Sequence, residues 1–488
     1  MNWAELNLTP AIPEITLLCV LGVVLLIDLF LNDRNRWITY VLSLVGIVVV
    51  TATQVMVWHG KAEEAFGNLF VNDGISQLAK LAMYVGVFVL FIYSRRYLAN
   101  REIFKGEFYT LTFFALLGMQ VMVSANHFLT LYVGLELLSL ALYAMVALRR
   151  DNLKATEASL KYFVLGALAS GLLLYGISFI YGATGHLQLN EVLNAIQSKA
   201  DVNPWLLTIG LIFIVVGVAF KLGVVPFHMW VPDVYEGAPT AVTAFVGTAP
   251  KIAAMVFAFR IVGTALPTLA ADWTQMFALL AVASLLIGNL AAIMQTNIKR
   301  MLAYSTVSHM GFVMLGFIGG FQNGGYAAAL YYAITYMVMG LVAFGVLMAL
   351  SNKDHECENL SDLAGLNQKN PYLALMMLIT MFSMAGIPPL MGFYAKLSIL
   401  RSLIATGEGM YIWVSVFAVI MSLIGAFYYL RVVKVMYFDE PTNDIKGDFK
   451  VDAWVLLAVN SLALVVLGIF PSSVVDWCIE ALKLTSSM

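Results

Sequence analysis

The stretch VAFKLGVVPFHMWVPDVYEGAPT, residues 218–240, interrupts a long apolar segment with glycine, proline and charged residues. Residues 205–235 are otherwise apolar enough to cross a membrane, and Gly223 and Pro226 fall inside them. A proline inside a helix removes one backbone hydrogen bond, and lipid offers no water to replace it. The stretch therefore predicts a broken helix whose freed backbone groups face protein or a watery cavity.

A second apolar segment, residues 372–404, carries the same Gly-x-x-Pro spacing in SMAGIPPLMGFYAKLSIL, where Gly386 precedes Pro389 by three residues. Paired broken helices in inverted repeats point to a transport site near the membrane midplane. Proline kinks are also common in membrane helices, so the spacing alone leaves a purely structural break open.

The composition of the 488-residue chain indicates a membrane protein. Hydrophobic residues make up 61% of it and charged residues 11%, whereas a soluble domain is about 25% charged. The 27 basic and 29 acidic residues nearly balance, which gives no indication of nucleic-acid binding. Residues 12–31 are too long for a signal-peptide core, so we interpret them as a retained first span.

A helix needs about 20 apolar residues to cross a membrane, and this length predicts about fourteen membrane spans in the chain. They lie near residues 12–31, 37–58, 75–93, 108–123, 128–148, 159–181, 205–235, 241–262, 273–294, 301–319, 326–350, 372–404, 411–430 and 453–475. Seventeen basic residues fall in the odd-to-even turns and five on the opposite face, so the basic loops are expected in the cytoplasm. Both termini are then expected on the outer, periplasmic side.

The predicted fold is a single all-α polytopic membrane domain over residues 1–488, with spans 7 and 12 broken. The two breaks are five spans apart, and because five is odd the second copy must run upside down relative to the first. The predicted inverted repeats are residues 108–262 (spans 4–8) and residues 273–438 (spans 9–13).

Four charged side chains lie near the centres of predicted spans, namely Glu136, Lys221, Lys251 and Lys396. Each costs roughly 2.5–3.5 kcal/mol on insertion scales. Their sum is comparable to the net stability of a whole domain, which favours a functional role. A fixed, structural ion pair between Glu136 and Lys221 is the alternative. Lys161, Lys80 and Asp28 lie nearer to span ends and are expected to reach the surface, although Lys161 is also a relay candidate.

Polar stripes recur on the spans that carry these charges, which predicts a buried hydrophilic axis. The stripes are Tyr132, Glu136, Ser139 and Tyr143 on span 5, Thr240, Thr243, Gly247 and Lys251 on span 8, and Tyr304, Ser305, Ser308 and His309 on span 10. Burial disfavours the charged form of lysine and a nearby carboxylate restores it. A series of buried lysines, linked by water and His309, can therefore pass protons.

No cofactor or metal is expected in this chain. It contains neither a GxGxxG nor a GxxxxGK[ST] motif. Its three cysteines are too few for a typical iron–sulfur cluster. The driving energy is therefore expected to come from an ion gradient or from another subunit.

The stretch FKLGVVPFHMWVPDVYEGAPT, residues 220–240, resembles the signature of the proton-translocating, antiporter-like membrane subunits of respiratory complex I. The resemblance extends over spans 4–13 and includes LYVGLELLSL around Glu136, TAPK at Lys251 and YSTVSHMGF around His309. Span 12 has a lysine, Lys396, at the position where M-type members of this family have a glutamate. The thirteen residues after span 14 leave no room for the lateral helix of L-type members, so N-type members are the most similar.

The resemblance implies a proton relay inside a non-redox subunit of a bacterial NADH:quinone oxidoreductase in the inner membrane. In it Glu136 would pair with Lys221 and carry the coupling signal, Lys161 would tune Lys221, Lys251 and His309 would form the centre, and Lys396 would exchange protons with the outer side. The partners would be other antiporter-like and peripheral subunits. FMN and iron–sulfur clusters would belong to those partner subunits, and quinone would bind mainly at their junction.

Three other functions remain open from the sequence. The chain could be a subunit of a sodium/proton antiporter of the same ancestry, an independent solute symporter, or a scaffold that moves no protons. A symporter would need more polar groups at the breaks than the backbone between Gly223 and Pro226 offers.

Overall fold

A computed structural model describes residues 6–58, 60–198, 202–353, 355–441 and 447–486. Its helices are α1 Ile12–Asp28, α2 Trp37–Met56, α3 Gly74–Asn100, α4 Gly106–Val123, α5 Phe128–Val146, α6 Leu153–Thr184, α7 Leu189–Ser198, α8 Pro204–Leu222, α9 Trp230–Gly237, α10 Thr240–Val246, α11 Ala249–Ala258, α12 Ala270–Ile293, α13 Ile298–Gly319, α14 Gly325–Leu350, α15 Leu366–Lys369, α16 Pro371–Ala385, α17 Met391–Ile404, α18 Gly409–Phe438, α19 Val451–Ile469 and α20 Ser472–Ser486. Short antiparallel strands, β1 Glu63–Ala65 and β2 Phe70–Asn72, precede α3. Lys199 and Lys446, counted above for orientation, lie outside the described residues.

The described residues confirm an all-α polytopic membrane fold with about fourteen crossings. Thirteen helical segments are long and apolar enough to span a membrane. The shorter α16 and α17 together form the remaining one, the predicted broken span 12. In chain order, spans 1–6 are α1–α6, span 7 is α8 followed after its break by α9, span 8 is α10 with α11, spans 9–11 are α12–α14, and spans 13 and 14 are α18 and α19.

Two spans differ from their predicted form. Span 8 was expected to be continuous over 241–262, but α10 ends at Val246 and α11 begins at Ala249. Pro250 occupies the first turn of α11, where its missing N–H does no harm. A π-helix, Phe259–Ala265, then follows α11. Span 14 was expected to reach residue 475, but α19 ends at Ile469 and a separate helix, α20, packs against α3 and α14.

The centre of the bundle is formed by spans 8, 10 and 11, in which nearly every residue is buried. Spans 6, 13 and 14 lie at the periphery and expose long apolar side chains, for example Leu160, Leu423 and Val455. This outward apolar surface suits lipid, so polar side chains in the centre are enclosed by protein on all sides.

Glycines allow α4 and α5 to approach closely. A Cβ added at Gly134 would lie 2.7 Å from the backbone nitrogen of Met122 and 2.9 Å from the carbonyl oxygen of Gly118. Because both neighbours are backbone atoms, a side chain there would force the helices apart. Small residues at such crossings are a common device of membrane helix packing.

Replacing Gly134 by valine is therefore expected to destabilise the protein by about 1–3 kcal/mol, the usual cost of overpacking. Unfolding of the purified protein in an SDS titration measures the change. Gly171→Val on α6 is the matched control, because a Cβ at Gly171 meets no atom within 4 Å. Equal losses of stability in the two variants would contradict the role assigned to the glycine contact.

Candidate functional site

The two breaks predicted from Gly-x-x-Pro are present and share one backbone geometry. Helices α8 and α16 end immediately before Gly223 and Gly386, whose φ angles are +81° and +89°. Glycine adopts this left-handed conformation without steric strain. The Gly223 N–H donates to the carbonyl of Ala219 at 2.9 Å, and the Gly386 N–H donates to that of Phe382 at 3.1 Å.

A lysine ammonium contacts the last carbonyl of each broken helix. Lys251 Nζ donates to the carbonyl oxygen of Leu222 at 3.0 Å, and Lys396 Nζ donates to that of Ala385 at 2.9 Å. Helix ends carry partial negative charge on their unpaired carbonyls, which favours a cation there. By this contact, the counterpart of Lys396 at the first break is Lys251 rather than Lys221.

Lys221 and Glu136 line one small cavity but do not form an ion pair. Lys221 Nζ donates to Ser139 Oγ at 3.0 Å, whereas the Glu136 carboxylate accepts a hydrogen bond from Ser170 Oγ. The cavity between them has a volume of about 20 Å³, enough for about one water molecule. The structure thus brings the two residues together without the direct contact that the sequence predicted.

Lys251 lies between the first break and an aromatic side chain. It is 2% exposed, and its ammonium is 5.0 Å from the ring centre of Trp230. The Trp230 indole N–H donates to the carbonyl of Phe220 at 3.0 Å, which fixes the ring beside the break. Cation–π contacts of this kind stabilise a desolvated ammonium.

His309 is held by two tyrosines that the sequence analysis did not identify. Its Nδ1 lies 2.8 Å from the hydroxyl of Tyr332 on α14, and its Nε2 lies 3.0 Å from the hydroxyl of Tyr429 on α18. The Tyr429 hydroxyl also contacts Ser305 Oγ at 2.5 Å. Both ring nitrogens therefore lie within hydrogen-bonding distance of groups that can donate or accept a proton.

Lys396 binds the second break and a neighbouring serine. Its ammonium donates to Ser422 Oγ at 2.7 Å, in addition to the carbonyl of Ala385, and lies 5.5 Å from the ring centre of Phe312. The Phe312 ring stacks on Tyr332, whose hydroxyl contacts His309. Ser422 was also missed, because a serine is common in membrane helices and gives little signal.

Lys161 lies outside the cavity of Glu136 and Lys221. Its side chain is 46% exposed, and its ammonium forms ion pairs at 2.9 Å with both Glu157 and Asp233. Arg300 binds Asp233 from the other side at 2.8 Å. Lys161 therefore belongs to a charged cluster around a separate cavity of about 230 Å³. The expected action on Lys221 would have to occur without contact.

The loop between spans 11 and 12 is anchored by Glu356 at the end of the bundle that carries the basic loops. This carboxylate forms ion pairs with Arg101 at 3.2 Å and Arg149 at 3.3 Å, and it accepts a hydrogen bond from Tyr97. Burial acts to raise the pKa of Glu356, but nearby Lys299, the hydrogen bond from Tyr97 and the charge of Arg101 hold it below its usual range. The contacts of the charged Glu356 side chain therefore hold the ends of spans 3 and 5 together.

Comparison with known proteins identifies the relatives of this arrangement. Residues 125–425 match the family described as NADH:quinone oxidoreductase/Mrp antiporter, TM. The chain is 62% identical to the NADH-quinone oxidoreductase subunit N of Neisseria gonorrhoeae, over 99% of this chain and 100% of the relative. It is 55% identical to that of Laribacter hongkongensis, over 99% of each chain.

A solved structure agrees with these relatives. The chain is 33% identical to a chain of respiratory complex I from Thermus thermophilus, with a TM-score of 0.80, over 95% of this chain and 99% of the other. The matched family region contains both breaks, Glu136, the three buried lysines and His309.

Removing the hydroxyl of Tyr429 is expected to destabilise the protein, because His309 and Ser305 would each lose a buried partner. A buried polar group left unpaired costs about 1–3 kcal/mol, and the SDS unfolding titration of Tyr429→Phe measures it. Tyr331→Phe is the control, since it removes a buried hydroxyl that makes no hydrogen bond to His309. A Tyr429 variant as stable as this control would contradict the role of the hydrogen bonds.

Proposed function

We propose a specific proton relay on the premise that this chain belongs to the NADH:quinone oxidoreductase/Mrp antiporter family of transmembrane subunits, in its subunit N group. The chain is an antiporter-like, proton-translocating, multi-pass membrane subunit of NADH-quinone oxidoreductase. The relay consists of Glu136, Lys221, Lys251, His309 and Lys396. It couples quinone reduction elsewhere in the complex to proton transfer through the centre of this bundle.

The observation that carries the proposal is the unusual environment of the three buried lysines. Among the described residues, Lys221, Lys251 and Lys396 bond to hydroxyls and backbone carbonyls and have no carboxylate within ion-pair distance. A buried ammonium without a counter-ion is costly in a membrane. Lys251 and Lys396 are held only by neutral dipoles, so each can release its proton without leaving a stranded anion, whereas Lys221 shares a cavity with Glu136.

The first step lies at the cavity shared by Glu136 and Lys221. One water molecule in this cavity would connect the carboxylate with the ammonium, so a proton can move between them without a large displacement. When Glu136 is ionised it favours the charged form of Lys221, and when it is protonated this support is lost. A change at Glu136 thereby controls whether Lys221 holds its proton.

The later steps follow the two breaks. Lys251 donates to the carbonyl of Leu222, the residue after Lys221, so Lys251 is the next acceptor for a proton that leaves Lys221. His309, between Tyr332 and Tyr429, would pass a proton on toward Lys396 through hydroxyls that both donate and accept. Lys396 is the terminal group that exchanges protons with the outer side.

The surroundings of the relay follow from the same premise. The charged cluster of Lys161, Asp233 and Arg300 lies on the side of the basic loops, where it would meet cytoplasmic water.

Both termini lie on the periplasmic side of a bacterial inner membrane. The inverted repeats are residues 108–262 and 273–438. FMN and iron–sulfur clusters lie in peripheral partner subunits, and other antiporter-like subunits are the membrane neighbours.

Two variants of Lys221 test the relay in membrane vesicles energised with NADH. Lys221→Ala removes the amine, and Lys221→Arg keeps a charge that is not released in proteins. Both are expected to remove the contribution of this chain to pumping, so that clearly fewer protons are pumped per NADH oxidised than in the wild type. Dye quenching reports pumping, and quinone reduction is followed in parallel.

The control is Lys434→Ala, an exposed lysine on α18 whose side chain is 64% accessible. It is expected to pump like the wild type. Unchanged pumping in Lys221→Ala would make the buried lysine structural, and normal pumping in Lys221→Arg alone would reduce its role to that of a fixed charge. Sodium/proton exchange by the chain without NADH would instead favour the antiporter function.

A further inference from the structure

A second pair of buried charges lies outside the relay. Lys80 on α3 is fully buried, and its ammonium is 2.6 Å from a carboxylate oxygen of Glu14 on α1, which is 7% exposed. The expectation that Lys80 reaches the surface is therefore wrong, because its ammonium turns inward to Glu14. Glu14 lies in the first turn of α1 and Lys80 in the second turn of α3, on the side to which the N-terminus belongs.

Other polar side chains form a layer at the same depth. Gln120 on α4 donates to the hydroxyl of Tyr84 on α3, which lies one helical turn after Lys80. Gln54 on α2 is fully buried. The packing of Gly46 against Val20 and Phe113 sets the register, and at about 1.5 Å per residue it brings Gln54 to the level of Glu14 and Gln120.

This layer is not satisfied by the protein alone. Apart from the ion pair itself, both Glu14 carboxylate oxygens, Lys80 Nζ, both Gln54 amide atoms and Gln120 Oε1 have no hydrogen-bond partner among the described residues. Buried polar groups are nearly always paired, with protein or with ordered water. So many polar atoms without hydrogen-bond partners at one depth favour the presence of water molecules among spans 1–4.

Strand β2 separates this layer from the outer surface. Successive strand residues face opposite sides. Phe70 packs over the Lys80 ammonium at 5.0 Å, whereas Val71 lines an outer cavity of about 300 Å³ together with Asp73 and Arg260. Asn72, the last residue of this strand, and Gln77, near the start of α3, also have buried oxygens without partners. Polar groups therefore continue from Lys80 toward the outer cavity.

We propose that Glu14 and Lys80 form a second proton-exchange site, which is hydrated from the outer side and separate from the relay. A proton from water adds to the Glu14 carboxylate and opens the ion pair, and it returns to water when the pair forms again. In each direction one O–H bond breaks and another forms, the two bonds belonging to a hydronium ion and to the Glu14 carboxyl group. None of the relay residues contacts Glu14 or Lys80, so the site goes beyond the proposed function.

Stability alone gives little reason to keep this pair. A buried ion pair is often no more stable than apolar side chains of the same volume, and it stabilises a fold only when further hydrogen bonds complete it. Asp73 and Arg260 show such completion nearby, with two hydrogen bonds between them at 2.7 and 2.6 Å and further bonds to Val123 and Ser76. Glu14 and Lys80 lack these additional partners.

Carbodiimide labelling of the wild-type complex tests whether Glu14 takes up a proton. The reagent modifies a carboxyl group that is protonated in apolar surroundings, and mass spectrometry locates the product. We expect labelling at Glu14 and none at Asp73, the equally buried carboxylate held by Arg260. Labelling at Glu14 no greater than at Asp73 would overturn the proposal. This test does not depend on pumping, so it stands even if the relay fails.

A set of three variants tests whether the exchange contributes to transport. Glu14→Gln, Lys80→Met and the double variant are compared for the amount of assembled complex and for protons pumped per NADH oxidised. We expect all three to lose pumping, the double variant included. A double variant that assembles and pumps like the wild type, while the single variants assemble poorly, would identify a purely structural pair and overturn a role in transport.

Discussion

The contact between a lysine ammonium and the last carbonyl of a broken helix is the interaction on which both halves of the bundle depend. A helix that ends inside the membrane leaves carbonyls unpaired, and lipid supplies no water for them. Lys251 and Lys396 fill this need at Leu222 and Ala385. The same carbonyls in turn stabilise an ammonium that has no carboxylate nearby. The lysine therefore lowers the energetic cost of the break, and the break lowers the energetic cost of burying the lysine.

The features that could be predicted from the sequence are those whose energetic cost arises within a single helix. A glycine three residues before a proline marks a break at Gly223 and at Gly386 wherever the helix packs, because the missing N–H belongs to the proline itself. Glu136 and the three central lysines are equally visible, since a charge is expensive anywhere in the apolar core. For this reason the fold class, the number of crossings and the two breaks could be predicted without any knowledge of contacts.

Partners between spans could not be predicted, because they depend on how each helix is rotated and how far it is shifted. The hydroxyls of Tyr332 and Tyr429 reach His309 from spans 11 and 13, and neither span carries a charge at its centre to draw attention. The same uncertainty made Lys80 look like a surface lysine. Asn289 on α12, which bonds to Ser308 at 3.0 Å, could have been found as a lone amide in an apolar span.

The two kinds of buried lysine in this chain suit different tasks. In the centre, Lys251 and Lys396 are held by neutral dipoles, so losing a proton leaves a neutral amine among groups that remain satisfied, and Lys221 meets Glu136 only across a cavity. Lys80 instead faces a carboxylate at 2.6 Å, and losing its proton to bulk water would strand the Glu14 anion. A proton can leave Lys80 only if one reaches Glu14. A series of lysines like those in the centre favours the passage of protons along a path. The pair of Lys80 and Glu14 favours the binding of one proton at one site.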